Sequence, residues 1–468
     1  MAKELKDMEP AAHVAEIVHH GERLIIPEGM AVKEAIVLLK MREAYLKEEV
    51  QLMESFDAFP WDGANALNCV LERRFGWAHG VPSPGFFGDR PPSMVSIDVS
   101  AKKTKQVPWG NFTIPGVEGV LGTSVQRKEG RVCFMLTASV LRKDEATVVS
   151  IFADVRKELQ TNSIYKGKAI KMRFLDEDGD TLPMPEPKFI DTDSIDPSQL
   201  ICNPETMSAI ETNLFTPVSR ARDCLANGIS LKRGILLGGT YGVGKTLAAT
   251  VASKLAVEAG ITYLYVPRAN ELPMAIEFAK QYQSPACVIF CEDVDRTVSG
   301  ERDVEMDDLL NIIDGIDTKQ SNLIVVLTTN ALENINPAML RPGRLDAVIN
   351  FTLPNAGTVE RLLRHYGGNQ IAFDTELVEA AELLEGTIPA VVAEVIKRAQ
   401  LAQLRLQAPG EPLRELSSAA VTEAARSTRM QVELLRKATS GKVDKTMGGK
   451  LGELFDDLRS MTPMGQAQ

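Results

Sequence analysis

One segment near the middle of the chain constrains the fold more than any other. It consists of Gly239-Thr-Tyr-Gly-Val-Gly-Lys-Thr246, which follows an apolar run beginning at Arg233 and precedes a helix predicted over Leu247 to Ala259. The spacing G-x4-G-K-T between a buried strand and a helix is typical of a loop that binds nucleotide phosphates. A glycine-rich turn that did not bind phosphate would need neither the strand before it nor the helix after it. The segment therefore predicts an α/β fold with a phosphate site at the end of a parallel strand.

The chemistry of phosphate binding accounts for each residue type in this loop. Its glycines let backbone N–H groups approach phosphate oxygens without an intervening Cβ, and the N-terminus of the following helix adds partial positive charge. Lys245 is predicted to contact the β- and γ-phosphates of ATP, and the Thr246 hydroxyl to bind Mg²⁺. The predicted nucleotide-binding residues are Gly239, Thr240, Tyr241, Gly242, Val243, Gly244, Lys245, Thr246 and Leu247.

An acidic pair follows a second buried strand, Ala286–Cys291. Such a site needs one carboxylate for the Mg²⁺ shell and a second to orient the attacking water, usually Asp followed by Glu. Here the order is inverted, so Glu292 is predicted to bind the metal and Asp293 to act as the base. A positioning error of about 1 Å can cost on the order of a hundredfold in rate, so slow turnover stays open. A one-residue slip would instead place Asp293 on the metal, but it would leave Val294 at the base position.

A third buried strand, Asn322–Asn330, also ends in a polar residue. An asparagine at this place can hold the attacking water beside the γ-phosphate. Farther along, Arg341 and Arg344 enclose the dipeptide Pro342-Gly343. Arginine can stabilise the charge of phosphoryl transfer from a neighbouring subunit. We therefore interpret this pair as functional rather than as ordinary surface charge.

Together these segments resemble the AAA+ superfamily, and its AAA clade in particular. The resemblance covers residues 195–440 and rests on Gly239–Thr246, the strand before Glu292, Leu309–Gly315, Thr328–Asn330 and Asn336–Asp346. It implies the fold class α/β, with a P-loop AAA+ parallel-sheet module and a small helical lid, preceded by helical and β-rich N-terminal domains. It also implies that Asn330 is the first sensor residue. Arg341 and Arg344 would be arginine fingers that act on the adjacent protomer of a homo-oligomeric ring, a hexamer.

Two more segments are interpreted through the resemblance. Gly386–Ala390 loosely matches the turn and helix of the lid near the adenine. Protein-threading relatives carry an aromatic–aliphatic–Gly loop after their second strand, here Ile261–Val266, but no such triplet follows it in this chain. Leu272-Pro273-Met274 is the candidate for a pore tip, and threading by an aromatic ladder is not expected.

Composition shifts divide the chain into five predicted parts. They are a helical N-terminal segment with an aromatic connector (1–92), a β-rich partner-binding domain (93–190), the large ATPase domain (191–355), the helical lid (356–440) and a C-terminal tail (441–468). Residues 1–60 are predicted to be mostly helical, and residues 182–198 to be a linker. Met94–Val99, Val132–Val140 and Ala169–Phe174 are predicted strands.

Several features before residue 190 allow two interpretations each. The aromatics Trp61, Trp77, Phe86 and Phe87 suit a platform for a nucleotide base, but more simply they pack a loop against a core. Asp176–Asp180 suggests a calcium loop, yet Gly179 and Pro187 occupy the wrong positions for one. A hairpin turn at Asp178-Gly179 is preferred. The basic clusters around Lys102 and Lys168 suit either solvated surface or nucleic-acid contact.

The charge and the cysteine content of the chain exclude some classes of protein. Asp and Glu (63) outnumber Lys and Arg (52), giving a net charge of −11, which argues against a protein that coats nucleic acid. No apolar run approaches the roughly 18 residues of a membrane helix, no signal peptide is visible, and the six cysteines show no ligand-like cluster. We therefore expect a cytoplasmic protein without disulfides and without membrane contact.

The sequence predicts an enzyme that uses ATP and Mg²⁺ to remodel or disassemble a protein substrate, selected by residues 1–190 directly or through an adaptor. One alternative is a nucleic-acid motor of replication or recombination, in which Arg296 and Arg302 would face the pore. The other is a nucleotide-gated scaffold with slow turnover, which the inverted acidic pair favours.

Overall fold

A computed structural model describes residues 18–20, 23–26, 29–76, 88, 93–128, 130–294, 322–332 and 345–439. The strands are β1 (Val18–His20), β2 (Arg23–Ile25), β3 (Glu49–Phe56), β4 (Met94–Ser100), β5 (Lys103–Pro108), β6 (Asn111–Phe112), β7 (Gly119–Lys128), β8 (Arg131–Leu141), β9 (Ala169–Lys171), β10 (Lys188–Phe189), β11 (Arg233–Gly238), β12 (Thr262–Val266), β13 (Cys287–Cys291), β14 (Leu323–Thr329) and β15 (Ala347–Asn350). The α-helices are α1 (Val32–Leu46), α2 (Pro60–Phe75), α3 (Glu145–Asn162), α4 (Pro204–Ile210), α5 (Thr216–Ser219), α6 (Ala221–Ala226), α7 (Lys245–Glu258), α8 (Leu272–Tyr282), α9 (Ala356–Gly367), α10 (Val378–Leu384), α11 (Pro389–Arg405) and α12 (Ser418–Thr439).

The chain divides into two compact units. Unit one comprises Met1–Ser194, Pro217–Gly234 and Ser253–Val326, and unit two comprises Ile195–Thr216, Ile235–Ala252 and Leu327–Gln468. The division passes through β11, α7 and β14.

Unit one contains an antiparallel sheet with the strand order β3-β8-β7-β6. Helix α2 packs against both β8 and α3. The sequence-based expectation that residues 1–60 are mostly helical is correct for α1 but wrong for β1, β2 and β3. Along β3 the exposed side chains alternate with more buried ones, a period of two that suits a strand paired with β8, where Phe56 lies opposite Phe134. This sheet joins strands from both sides of the predicted boundary at residue 92.

An aromatic cluster in unit one connects the start of α2, the turn after α3, and α8. The ring of Phe59 lies 6.0 Å from that of Tyr165 and 5.6 Å from that of Phe278, centroid to centroid. Tyr282 completes the cluster, 5.7 Å from Tyr165, and its hydroxyl accepts a hydrogen bond of 2.8 Å from the Phe59 backbone N–H. Edge-to-face rings at these distances stabilise the packing beyond the area they bury, so Phe59 and Tyr165, more than a hundred positions earlier in the chain, hold α8 in place.

Unit one also contains four strands in the order β10-β9-β12-β13. β12 pairs in parallel with β13 and with β9, whereas β10 is antiparallel to β9. The predicted strands over Ile261–Val266 and Ala286–Cys291 are confirmed, and every residue of β13 is buried, as expected for a parallel strand covered on both faces. β9 is shorter than predicted, and β10 lies in the predicted linker. The pairing of β9 with β12 crosses the predicted boundary at residue 190.

In unit two, β11 and β15 pair in parallel, from Ile235 opposite Ala347 to Gly238 opposite Asn350. Helices α9 to α12 share one apolar core, to which Leu363, Leu384 and Val392 contribute fully buried side chains. The predicted α/β class with parallel strands and a helical lid is therefore confirmed.

The acidic segment at Asp176 forms the hairpin turn that the sequence favours. Gly179 has φ 92°, and Leu175 bridges to Thr181 in antiparallel fashion. The Asp176 carboxylate accepts hydrogen bonds from the backbone N–H groups of Asp178 and Asp180, at 3.0 and 2.9 Å. Within the described residues, no three His, Cys, Asp or Glu side chains are grouped to hold a metal ion, and no helix is long and apolar enough to cross a bilayer.

Candidate nucleotide-binding site

The glycine-rich loop in unit two begins where β11 ends and leads directly into α7 at Lys245. Gly239, Gly242 and Gly244 have φ values of 140°, 78° and 107°, a region that residues with a Cβ rarely adopt. A Cβ on Gly239 would lie 2.5 Å from the carbonyl oxygen of Phe351, so no side chain fits there. The loop backbone is thus held close to the end of β15. Because its three glycines lack a Cβ, no side chain of theirs covers their N–H groups.

The side chain of Lys245 is buried, with only 6% of its surface exposed. Its ammonium donates to the carbonyl oxygens of Gly239 and Thr240 at 2.6 and 2.9 Å, and to Oδ1 of Asn330 at 2.9 Å. The structure therefore brings together the two residues that the sequence assigns to the γ-phosphate. An ammonium has three N–H donors, so a phosphate oxygen that binds Lys245 has to displace or share one of these contacts.

The rest of the predicted loop is arranged around this lysine. Tyr241 is 58% exposed, whereas Val243 is buried and anchors the loop to the interior of unit two. Thr246 and Leu247 lie in the first turn of α7. The Thr246 hydroxyl makes no hydrogen bond to the described residues, and its side chain is exposed, which suits a metal ligand.

Two apolar side chains flank the loop. Ile388 Cδ1 lies 3.4 Å from the position of a Cβ on Gly242, and Leu200 Cδ1 lies 3.8 Å from that of a Cβ on Gly244. Ile388 belongs to Gly386–Ala390, the lid segment predicted to lie near the adenine. Sequence reasoning missed Leu200, because it stands in a short segment without helical or strand periodicity. Apolar walls beside a few polar groups are typical of small-molecule sites.

In unit one, Glu292 follows β13 directly, and its Oε2 accepts a hydrogen bond of 2.7 Å from the hydroxyl of Tyr265. Burial raises the pKa of the Tyr265 hydroxyl, and the bond to Glu292 raises it further, so the phenol stays protonated and donates. Sequence reasoning missed Tyr265. The pairing of β12 with β13 sets Tyr265 opposite Phe290, two residues before Glu292, and only that register could have indicated the contact.

Asp293 has φ 43°, the one positive value among the described residues other than glycine. Aspartate tolerates the left-handed region better than most residues, at a cost of roughly 1–2 kcal/mol. Such strain often marks functional sites, and here it bends the chain at the second predicted acid.

The predicted pore tip is not supported at its first residue. Leu272 is fully buried, so it cannot form an exposed tip. The preceding residue, Glu271, is also buried, and its Oε2 accepts a hydrogen bond of 3.0 Å from the backbone N–H of Phe174. The chain enters α8 at once, with Pro273 in its first turn. The segment after the second strand is therefore packed against residues near 174 rather than extended as a loop.

Other predicted features have mixed outcomes. Trp61 packs edge-on against Trp109 at 5.0 Å, in agreement with a packing role. Lys102 pairs with Asp191 at 2.9 Å, and Lys105 with Glu72 at 3.1 Å, so acids partly neutralise that basic cluster. Outside the described residues lie Trp77, Phe86, Phe87, Asp295, Arg296, Arg302, Leu309–Gly315, Arg341 and Arg344.

Comparison with known proteins shows similarity to an ATPase family. Residues 235–353 match the model of the ATPase family associated with various cellular activities (AAA). The chain is 30% identical over 200 residues to the ATP-dependent zinc metalloprotease FtsH of Mycoplasma mobile. It is 32% identical over 199 residues to the 26S proteasome regulatory subunit 10B of Dictyostelium discoideum.

These similarities cover only part of each protein. The match to FtsH spans 38% of this chain and 28% of the protease. The match to subunit 10B spans 38% of this chain and 50% of that subunit. The family model, in turn, spans the glycine-rich loop, the acidic pair and Asn330.

Proposed function

The chain belongs to the AAA clade of AAA+ ATPases through the domain at residues 235–353, and from this premise we propose that it hydrolyses Mg·ATP to remodel or disassemble a protein partner. The observation that carries the proposal is the arrangement around Lys245. A buried ammonium lies in a glycine loop and contacts the Asn330 side chain at 2.9 Å. The cation that we propose to bind the phosphates thus contacts the residue that we propose to hold the attacking water.

The residues of the chain suit a magnesium nucleotide. Mg²⁺ prefers hard oxygen ligands, and Thr246 and Glu292 supply a hydroxyl and a carboxylate. The ion would neutralise charge on the phosphates. Lys245 would hold the β- and γ-phosphates, Asn330 would orient the attacking water, and Asp293 would accept its proton. Arg341 and Arg344 would stabilise the transferred phosphoryl group of the adjacent protomer.

The proposal includes a homo-oligomeric ring, a hexamer, because Arg341 and Arg344 are assigned to act on the adjacent protomer and an arginine finger can be supplied by a neighbouring subunit. Two relatives are named as a protease and a regulatory subunit of the proteasome, which supports a protein substrate or adaptor. Residues 1–190 would select it. A cytoplasmic location agrees with the six free cysteines, of which Cys287 and Cys291 are fully buried.

A nucleotide-gated scaffold is the second candidate. The inverted acidic pair and the strained backbone of Asp293 favour it, because both alter the position of the predicted base. Such a scaffold would bind ATP and assemble but hydrolyse few molecules.

Sedimentation velocity with ATP and Mg²⁺ tests the assembly. The Asp293→Asn variant keeps the side-chain size but removes the base, so it should trap ATP and sediment as a ring. The Lys245→Ala variant should sediment as a smaller species. Equal sedimentation of both variants, with and without ATP, would contradict nucleotide-dependent assembly. A steady-state hydrolysis assay of the wild-type ring then separates a motor from a scaffold.

A further inference from the structure

The predicted metal ligand Glu292 has one more methylene than the aspartate usual at its position. That extra length gives the carboxylate more rotamers and a longer reach. For a ligand that must meet a metal ion, this freedom costs entropy and accuracy of position. Some contact that restrains the side chain would remove the cost.

The structure contains such a contact. The hydroxyl of Tyr265 donates to Oε2 of Glu292 at 2.7 Å, while Oε1 accepts no hydrogen bond from the described residues. A hydrogen bond to a charged carboxylate is among the stronger ones in proteins. One oxygen is therefore fixed and the other retains its lone pairs.

Tyr265 is itself held from both sides within unit one. Its ring stacks on that of Phe290, with the centroids 5.5 Å apart and the planes at 24°. On its other side, the strand register sets Lys171 opposite Tyr265, and the lysine ammonium lies 5.0 Å from the ring centroid. This is within the range of a cation–π contact. Neighbouring strands thus fix the ring, and the ring fixes the hydroxyl.

We propose that Tyr265 is a positioning residue for Glu292, and that it compensates for the longer acid by holding Oε2 so that Oε1 binds Mg²⁺. The inference rests on the proposed function, because it requires Glu292 to be a metal ligand. It assigns a role to the strand β9 as well: through Lys171, residues ahead of the ATPase domain support the acidic pair.

Calorimetry of ATPγS binding, with and without Mg²⁺, tests the inference without relying on turnover. In Tyr265→Phe the ring and its stacking remain and only the hydroxyl is lost. The Mg²⁺ concentration for half-maximal tightening of ATPγS should rise about tenfold, the effect of losing one hydrogen bond to a charged group. Affinity without Mg²⁺ should stay unchanged.

Two further variants make the test specific. Tyr263→Phe removes a buried hydroxyl from the same strand, beside the same Phe290 ring, and should leave the Mg²⁺ dependence as in the wild type. In a Glu292→Asp background the shorter acid no longer reaches the phenol, so adding Tyr265→Phe should change the Mg²⁺ requirement less than about twofold. A thermal melt of each variant checks that it folds.

The outcomes separate the two claims. If wild-type protein binds ATPγS without any response to Mg²⁺, the proposed function fails. A second outcome is that the wild type responds to Mg²⁺ and Glu292→Gln abolishes the response. If Tyr265→Phe and Tyr263→Phe then need the same Mg²⁺ concentration for half-maximal tightening, the positioning role is overturned and the function stands. An equal effect of Tyr265→Phe in the wild-type and Glu292→Asp backgrounds would also overturn it, since the effect would then not act through the longer side chain.

Discussion

Asp62 is a buried carboxylate whose protonation should govern the stability of unit one. It is 1% exposed and accepts hydrogen bonds from the Ser163 hydroxyl at 2.6 Å and the Ile164 backbone N–H at 2.9 Å. Burial raises the pKa of Asp62 from 3.8 to about 6, although the hydrogen bonds from Ser163 and Ile164 act in the opposite direction. Removal from water is therefore the larger effect.

The sign of the pH dependence follows from the raised pKa. The folded state binds the proton more tightly than the unfolded state, so Asp62 contributes its stability below pH 3.8 and loses it as the pH rises through about 6. At 1.36 kcal/mol per pKa unit, the shift from 3.8 to about 6 corresponds to about 3 kcal/mol. The Asp62→Asn variant resembles the protonated acid and lacks this titration.

Urea unfolding followed by tryptophan fluorescence measures the effect. Trp61 adjoins Asp62 in α2 and contacts Trp109, so its emission reports on this part of unit one. We expect the stability of Asp62→Asn relative to the wild type to increase by about 2.4 kcal/mol between pH 4 and pH 7.5, because at pH 4 the unfolded state is already partly ionised. Any constant offset from altered hydrogen bonding cancels in this difference. A stability difference that does not vary with pH would refute the reasoning.

Four substitutions test the nucleotide site. Gly239→Ala places a Cβ 2.5 Å from the Phe351 carbonyl oxygen, which strains the loop by about 1–3 kcal/mol. ATP affinity should therefore be lost and the melting temperature lowered. Gly357→Ala, where the atom nearest to the new Cβ is 3.8 Å away, is the control and should behave as wild type. Asn330→Ala should lower kcat at least about tenfold and leave the Kd for ATP within a few-fold, as separate kinetic and calorimetric measurements would show; a change in Kd alone would contradict its role beside the attacking water. Arg341→Ala and Arg344→Ala should each lower kcat by about a thousandfold at constant Kd, and a monomer that hydrolyses ATP at full rate without either arginine would remove the finger assignment.

The core of the ATPase domain could be predicted because its signals are local. The strand, the glycine loop and the helix at Lys245 follow one another along the chain, and each glycine is explained by its own backbone angle. The buried strands β13 and β14 are continuous apolar runs ending in polar residues. Such patterns need no knowledge of what packs against them.

The features that could not be predicted from the sequence depend on contacts between segments that are far apart in the chain. β3 was hidden because its alternation matters only once β8 pairs with it. The buried carboxylate of Glu271 is held by the backbone N–H of Phe174, almost a hundred positions earlier. Tyr265 reaches Glu292 only through the register of two parallel strands. Tertiary packing of this kind overrides local preference.

The central claim is that Lys245 binds the phosphates of ATP, and calorimetric titration of the purified chain with Mg·ATP tests it most directly. The ammonium of Lys245 is the buried cation of the loop, so Lys245→Ala should abolish measurable ATP binding. Lys254→Ala removes the same charge from the same helix, away from the loop, and should bind ATP as the wild type does. Binding of ATP by Lys245→Ala with wild-type affinity would contradict the account.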